Sequence, residues 1–301
     1  MQSSWAYLAV IIIWSTTPLA IKFSNDSLTP LASISLRILL AVAIACVLLA
    51  LWSRKWPLRK SNWPVYLAAA IGLFPNMPLV YVASNYIPSG LMAILFGLTP
   101  FVNGLLAIPM LGEPRLTATK WVSLSVALLG LWVVFSEQLD LGEGAATGIG
   151  LMVISVVVFC FSSLLVKRLS HQYPVQPVEQ ALGSMIFSLP GLILCWWVMD
   201  DSFQLVFSEQ SLWALLYLAV IGSLLGFVAY FNILKSLNIA TVSLIPLITP
   251  VIAVLLGAWL AGERVGLSTL LGGAFILTAL GFYQGSFAFL LRRIWRKERL
   301  S

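Results

Sequence analysis

The stretch "LTPFVNGLLAIPMLGE" (residues 98–113) places a Thr-Pro pair inside an apolar run and closes it with Gly-Glu. The same punctuation returns in "ITPVIAVLLGAWLAGE" (residues 248–263). Thr99-Pro100 and Thr249-Pro250 are 150 residues apart, as are Gly112-Glu113 and Gly262-Glu263. In a chain of 301 residues that spacing is half the length, which points to a duplicated unit. A proline inside a helix removes one backbone hydrogen bond and clashes with the carbonyl four residues earlier. Here it frees the carbonyls of Phe96 and Pro246.

Composition decides the solvent. Hydrophobic residues make up 60% of the chain and charged residues 9%, with a mean hydropathy of +0.98. A soluble domain carries about 45–50% apolar and about 25% charged residues. So few charges cannot coat a water-soluble surface, so the chain must be solvated by lipid. In lipid the backbone has to satisfy itself as helices or a closed barrel. The apolar runs approach the ~20 residues a spanning helix needs and lack strand-length alternation. The expected fold is an all-α polytopic membrane protein with ten spans: 4–22, 30–52, 64–84, 87–110, 117–136, 147–168, 177–199, 211–233, 239–260 and 267–289. The first run has neither a basic start nor a small-residue cleavage site, so it reads as a retained helix.

Lysine and arginine test this count. With the N-terminus in the cytoplasm, 14 basic residues fall on cytoplasmic loops and the tail. Only Lys22 and Arg264 fall on the opposite side, and Arg37 lies within a span. That split follows the positive-inside rule and places both termini in the cytoplasm. It also accounts for the formal charge of +6 without a nucleic-acid partner. The basic tail "RRIWRKER" suits an anionic leaflet.

The repeat extends further. "YLAAAIG" (66–72) pairs with "YLAVIG" (217–222), and "WSTTPLAIK" (14–22) with "FCFSSLLVK" (159–167). The units are 1–140 (spans 1–5) and 141–301 (spans 6–10 with the basic tail). Five is odd, so two such units enter the membrane in opposite senses. Inverted repeats of this kind build many secondary transporters, with the site near the midplane. "YVASNYIPSGLMAILFGLTPFVNGLLAIPMLGEPRLT" and "NILKSLNIATVSLIPLITPVIAVLLGAWLAGE" resemble the signature of the EamA branch of the drug/metabolite transporter superfamily. The resemblance covers essentially the whole chain. It implies a small-molecule carrier, usually an exporter, in the bacterial inner membrane. It also implies a central cavity lined by both halves, with spans 5 and 10 peripheral. Ile87-Pro88 stands where that family usually has small polar residues.

Candidate substrate-binding residues are those that place polarity or aromatic faces at depth. Span 4 aligns Met92, Phe96, Thr99 and Asn103 on one face. Span 9 aligns Val242, Pro246, Thr249 and Ala253, so Asn103 has only Ala253 as its twin. Interhelical hydrogen bonding explains such residues as readily as a cavity does. Span 3 carries "FPNMP" (74–78), where Pro75 and Pro78 flank Asn76. Tyr81 follows. Tyr230 and Asn232 occupy the corresponding region of span 8. Trp14 and Thr17 lie in span 1, Phe159 and Ser163 in span 6. Arg37 is a charge at membrane depth, which marks a functional candidate. It suits an anionic substrate group, or a structural pairing with Glu263 or Asp26. The candidate kinks are Pro75, Pro78, Pro100, Pro246 and Pro250. Glu113 and Glu263 read as interfacial carboxylates.

No catalytic set, metal site or cofactor is expected. Cys46, Cys160 and Cys195 read as small buried apolar residues, and His171 is the single histidine. There is no P-loop motif, so ATP is not the direct energy source. No Asp, Glu or His falls near the middle of a span, which argues against a buried carboxylate proton relay. The leading reading is a carrier that exports amino acids or related metabolites by alternating access. Efflux of toxic organic compounds is the alternative within transport. A membrane scaffold without transport activity is the alternative of another class. The expected partners are a small-molecule substrate and the lipid bilayer, with monomer and homodimer both open.

Overall fold

The computed structural model describes residues 3–51, 58–138, 144–170, 172–200, 205–237, 245–263 and 265–283. His171, Arg264, the start of span 9, and the end of span 10 with the basic tail lie outside the described residues. Among the described residues the regular structure is helical, with no strand.

The helices are α1 (Ser3–Ser24), α2 (Pro30–Leu51), α3 (Trp63–Ala70), α4 (Asn76–Ala83), α5 (Ser89–Phe96), α6 (Thr99–Leu111), α7 (Ala118–Gln138), α8 (Ala145–Ser170), α9 (Pro177–Met199), α10 (Glu209–Tyr217), α11 (Gly226–Ser236), α12 (Ile245–Ala261) and α13 (Leu267–Tyr283). Among the described residues, six stretches are long and apolar enough to cross a membrane: 4–24, 30–51, 89–111, 145–170, 177–199 and 209–236. Shorter apolar helices cover 118–134, 248–261 and 267–283. The broken pair α3 and α4 supplies the tenth segment. Large apolar side chains such as Trp259, Leu51 and Trp5 stand mostly exposed on the outside of the bundle, as a lipid-facing surface requires.

Local chemistry explains where the helices stop. α6 and α12 both end on a glycine in the left-handed region, Gly112 (φ 68°) and Gly262 (φ 60°). The following amide then bonds back across the helix end. Glu113 N–H donates to the Ala107 carbonyl at 3.4 Å, and Glu263 N–H to the Gly257 carbonyl at 3.1 Å. Each bond runs from residue i+6 back to residue i, one residue wider than a Schellman closure, across a glycine in the left-handed conformation that such helix ends favour. The duplicated Gly-Glu is therefore a helix stop, with the glutamate set just beyond it.

The prolines divide into two kinds. Pro78, Pro100 and Pro246 each stand in the first turn of a described helix, where a missing N–H costs nothing. Pro75 precedes α4. The expected kinks at Pro75, Pro78 and Pro100 therefore mark helix starts that follow breaks in the chain, whereas the residues before Ile245 lie outside the described residues. Pro250 alone of the five lies inside a helix. The twin Thr-Pro pairs thus behave differently: span 4 is divided at residues 97–98, whereas α12 runs through Pro250.

Span 8 holds a feature the apolar pattern does not announce. Residues Leu218–Leu225 form a wider π-helical segment between α10 and α11. It packs against α2, and Gly222 lies there against the guanidinium of Arg37.

α7 and α13 pack chiefly on each other at the side of the bundle. Their closest approach is backbone to backbone. A Cβ on Gly130 would lie 2.7 Å from the Gly272 carbonyl oxygen, and one on Gly272 only 2.5 Å from that of Gly130. Small residues permit this approach in lipid, where dispersion contacts hold helices together. Replacing Gly272 with Leu should lower stability by about 1–3 kcal/mol, the usual cost of overpacking. Thermal unfolding in detergent measures this, and an unchanged midpoint would show that the two helices part freely.

Candidate functional site

At the centre of the bundle four aromatic rings meet. Trp14 comes from α1, Phe96 from the end of α5, Phe159 from α8 and Tyr230 from α11. Trp14 lies 4.9 Å from Tyr230 and 6.2 Å from Phe159, centroid to centroid. Phe159 lies 6.3 Å from Phe96 and 6.2 Å from Tyr230. The spacings suit edge-on and tilted aromatic packing. Two rings come from each half of the chain. Trp14 and Phe159, which occupy the same place in the matched stretches, are in mutual contact. Phe231 extends the cluster, 5.5 Å from Tyr230.

A polar strip adjoins it. Thr99 Oγ1 donates to the Phe96 carbonyl at 2.6 Å. The oxygen freed by Pro100 is thereby satisfied by the neighbouring hydroxyl. The Thr99 carbonyl accepts from Cys160 Sγ at 3.4 Å. Ser163 Oγ lies 3.3 Å from Asn103 Oδ1 and donates to the Cys160 carbonyl at 2.9 Å. Thr17 Oγ1 donates back to the Ile13 carbonyl at 2.6 Å. Of the predicted residues, the structure gathers Trp14, Phe96, Thr99, Asn103, Phe159, Ser163 and Tyr230 along one seam. Cys160 was not singled out beforehand. Its apolar neighbours hid its contact with the span-4 break.

The other predicted residues serve different places. Asn76 is fully buried, and its amide is shared between helices. Its Nδ2 donates to the Gly72 carbonyl at 3.0 Å and its Oδ1 accepts from Ser155 Oγ at 2.6 Å. It closes the break between α3 and α4 and ties it to α8. Asn232 sits near the end of α11, where its groups accept from the exposed Ser236. Thr249 is buried in α12. Arg37 is 2% exposed, and its partners are hydroxyls. Nε donates to Ser223 Oγ at 2.8 Å and Nη1 to the buried Tyr81 hydroxyl at 3.1 Å. The anticipated acid partners are engaged elsewhere: Glu263 with Lys22, and Asp26 with Ser208.

One end of the bundle is stitched shut by polar contacts. Lys22 Nζ meets Glu263 Oε1 at 2.9 Å. Glu263 also accepts from Ser89 N–H at 3.0 Å and Ser89 Oγ at 2.9 Å. Asn25 Nδ2 donates to the Tyr81 carbonyl and to Ser84 Oγ, and Ser27 N–H to Ser211 Oγ. Above this layer opens a vestibule of about 510 Å³ lined by Lys22, Asn25, Asp26, Ser84, Asn85 and Gln210, with neighbouring residues. Its walls are helix ends, and none of the aromatic cluster reaches it.

A family profile described as the EamA-like transporter family matches residues 3–136 and again 146–283. The chain belongs to the EamA-like transporter family. The two matches fall on the two runs of helices that the duplicated Thr-Pro and Gly-Glu pairs mark. Among its relatives is an uncharacterized transporter of Archaeoglobus fulgidus, 27% identical over 285 residues, covering 94% of this chain and 98% of that protein. The uncharacterized inner membrane transporter YedA of Escherichia coli K12 is 27% identical over 266 residues, covering 86% and 83%. A solved crystal structure shares the fold of this EamA-like chain with a TM-score of 0.67 at 17% identity, covering 94% of this chain and 97% of the other.

Burial alone would raise the pKa of Glu263, but the donors on Ser89 and the Lys22 ammonium outweigh it and hold the carboxyl below its ordinary value. A depressed carboxylate contributes stability in full above the unfolded value of about 4.3. That contribution is lost as pH falls through the lower folded value. Glu263→Gln should therefore cost about 2–3 kcal/mol at pH 7, the scale of hydrogen bonds to a charged group. The gap between variant and parent should close as pH drops below about 4. Thermal unfolding across pH checks this, and a gap that persists in acid would contradict it.

Proposed function

We propose that this protein is a secondary carrier that exports small metabolites, of which amino acids and related compounds fit the site best, by alternating access. The single observation that carries the reading is the aromatic cluster shared by both halves, flanked by the hydroxyls and amide of Thr99, Ser163 and Asn103. Aromatic faces attract an ammonium group and accept an apolar side chain. The adjacent Asn103 amide nitrogen can donate to a carboxylate. Arg37, buried among neutral hydroxyls, adds a fixed positive field from span 2. That field favours solutes bearing a carboxylate over purely cationic ones.

The two units are 1–140 and 141–301, related as inverted repeats, with recognition weighted to the first. The basic residues put both termini in the cytoplasm and the Lys22 end outside. The relative YedA is named an inner membrane transporter, which supports the same membrane for this chain. Among the described residues, the buried acid Glu179 and Glu263, whose side chain is 4% exposed, stand at helix ends. This supports facilitated export or exchange over a carboxylate proton relay at depth.

Reconstituted proteoliposomes preloaded with an amino-acid panel, and separately with organic cations, test the reading. Efflux of at least one amino acid is expected. Trp14→Ala or Phe159→Ala should reduce it by roughly tenfold or more while the protein still elutes as a folded species, as loss of a stacking or cation–π contact of 1–2 kcal/mol implies. Efflux of organic cations alone would replace the amino-acid reading with toxic-compound efflux. Unaltered efflux in both variants would remove the aromatic cluster from the site.

A further inference from the structure

Two ion pairs hold equivalent places in the two halves. Lys22 and Lys167 end the matched stretches "WSTTPLAIK" and "FCFSSLLVK". Glu263 and Glu113 end the matched sixteen-residue stretches that carry Thr-Pro and Gly-Glu. The structure joins each lysine to the glutamate of the opposite half. Glu263 grips Ser89, the first residue of α5, whereas Glu113 follows the last turn of α6. The pairs therefore lie at opposite ends of span 4.

They are closed to different degrees. Lys22 and Glu263 are 2.9 Å apart, with the glutamate side chain 4% exposed. Lys167 and Glu113 are 3.7 Å apart, with the glutamate 50% exposed. The backbone accounts for the contrast. Glu263 folds back over Gly257, where a Cβ would lie 2.4 Å from Glu263 Oε2 and 2.9 Å from Ser89 Oγ. The matching position of the first half is Ala107, which carries a methyl group where Gly257 has none.

We propose that the two pairs are reciprocal latches: Lys22–Glu263 holds its mouth shut in the state seen here, and Lys167–Glu113 closes the opposite mouth in the alternate state. The proposal rests on the alternating-access reading above. Exchanging the conformations of two inverted halves exchanges the surroundings of their matched residues. Glu113 then takes the gripped position and Glu263 is released. A latch biases the equilibrium only by what it contributes in one state and not the other, and the Gly257–Ala107 difference sets the resting bias toward a shut Lys22 mouth.

The experiment reads the two mouths independently of transport. Spin labels are placed at Asn85 and Leu260 on one end, and at Met110 and Arg168 on the other, with Cys46, Cys160 and Cys195 replaced by Ala. Distances are measured in lipid nanodiscs. Glu263→Gln should lengthen the Asn85–Leu260 distance and shorten Met110–Arg168, with the open-to-shut ratio at the Lys22 mouth rising roughly tenfold. Gly257→Ala should do the same without altering any charge. Glu113→Gln should leave the Lys22 mouth shut. Lys22→Gln, which truncates a partly exposed group, provides the same readout if either of the first two variants fails to fold. Unmoved distances in the folded variants overturn the proposal. So does widening at one mouth with no closure at the other. Solute flux in the same variants separates the two ideas: shifted distances without any flux would refute the carrier and leave the latches standing.

Discussion

Backbone groups inside hydrocarbon must find partners without water, and this constraint governs how the broken spans are built. The interruption of span 4 shows its force. Pro100 strips the Phe96 carbonyl of its helical donor, and the hydroxyl of Thr99 takes that donor's place. The Asn76 side chain does the same for span 3 by reaching back to Gly72. In both spans a short polar side chain replaces the missing backbone donor. The interruption then persists at depth without an exposed dipole. The helix ends obey the same rule through Gly112 and Gly262, whose left-handed conformation lets the next amide bond back over the last turn.

Interruptions satisfied in this way are also where side chains from several helices converge. Phe96 ends α5 at the break and so meets Phe159 of α8. Cys160, next along α8, reaches the carbonyl of Thr99. A continuous span 4 would carry Phe96 and Asn103 along one unbroken face. The break at residues 97–98 falls between them, and α6 packs against α8. The aromatic cluster is thus a consequence of how the proline break was accommodated.

Much of this was legible in the sequence, because period and punctuation are strong signals in a membrane protein. The helical membrane class follows from composition and apolar run length, and the doubled stretches lie within the two regions that the family profile matches. What stayed hidden depended on geometry that no residue type reports. Pro78 and Pro100 looked like kinks, since a proline in an apolar run does not announce that it stands in the first turn of a helix. Arg37 looked like a partner for an acid. Its hydroxyl partners are Ser223, in the π-helical turn at 218–225, and Tyr81, in α4, two places that the apolar pattern does not connect. Asn76 looked like a cavity residue because depth and polarity are shared by substrate contacts and helix glue alike. Only its full burial and its two satisfied amide ends tell them apart.

Symmetry and asymmetry divide the work between motion and chemistry. In the proposed alternating-access reading, inverted halves need matched closures, and the sequence matches the residues assigned to them. Both Gly-Glu stops are present, and both lysines that face the glutamates are retained. Recognition needs no such match, because a solute meets both halves at once. There the halves diverge, with Asn103 against Ala253 and Arg37 against Ser184. Among the closures Ser89, whose hydroxyl Glu263 uses, stands against Ile239, and Gly257 against Ala107, the latter being the smallest side-chain change available. It leaves the latch pairs intact and alters only how deeply one glutamate can seat. A single methyl group is a fitting size for that purpose: differences of about 1 kcal/mol move a conformational equilibrium several-fold without locking it, and a carrier must visit both states to turn over.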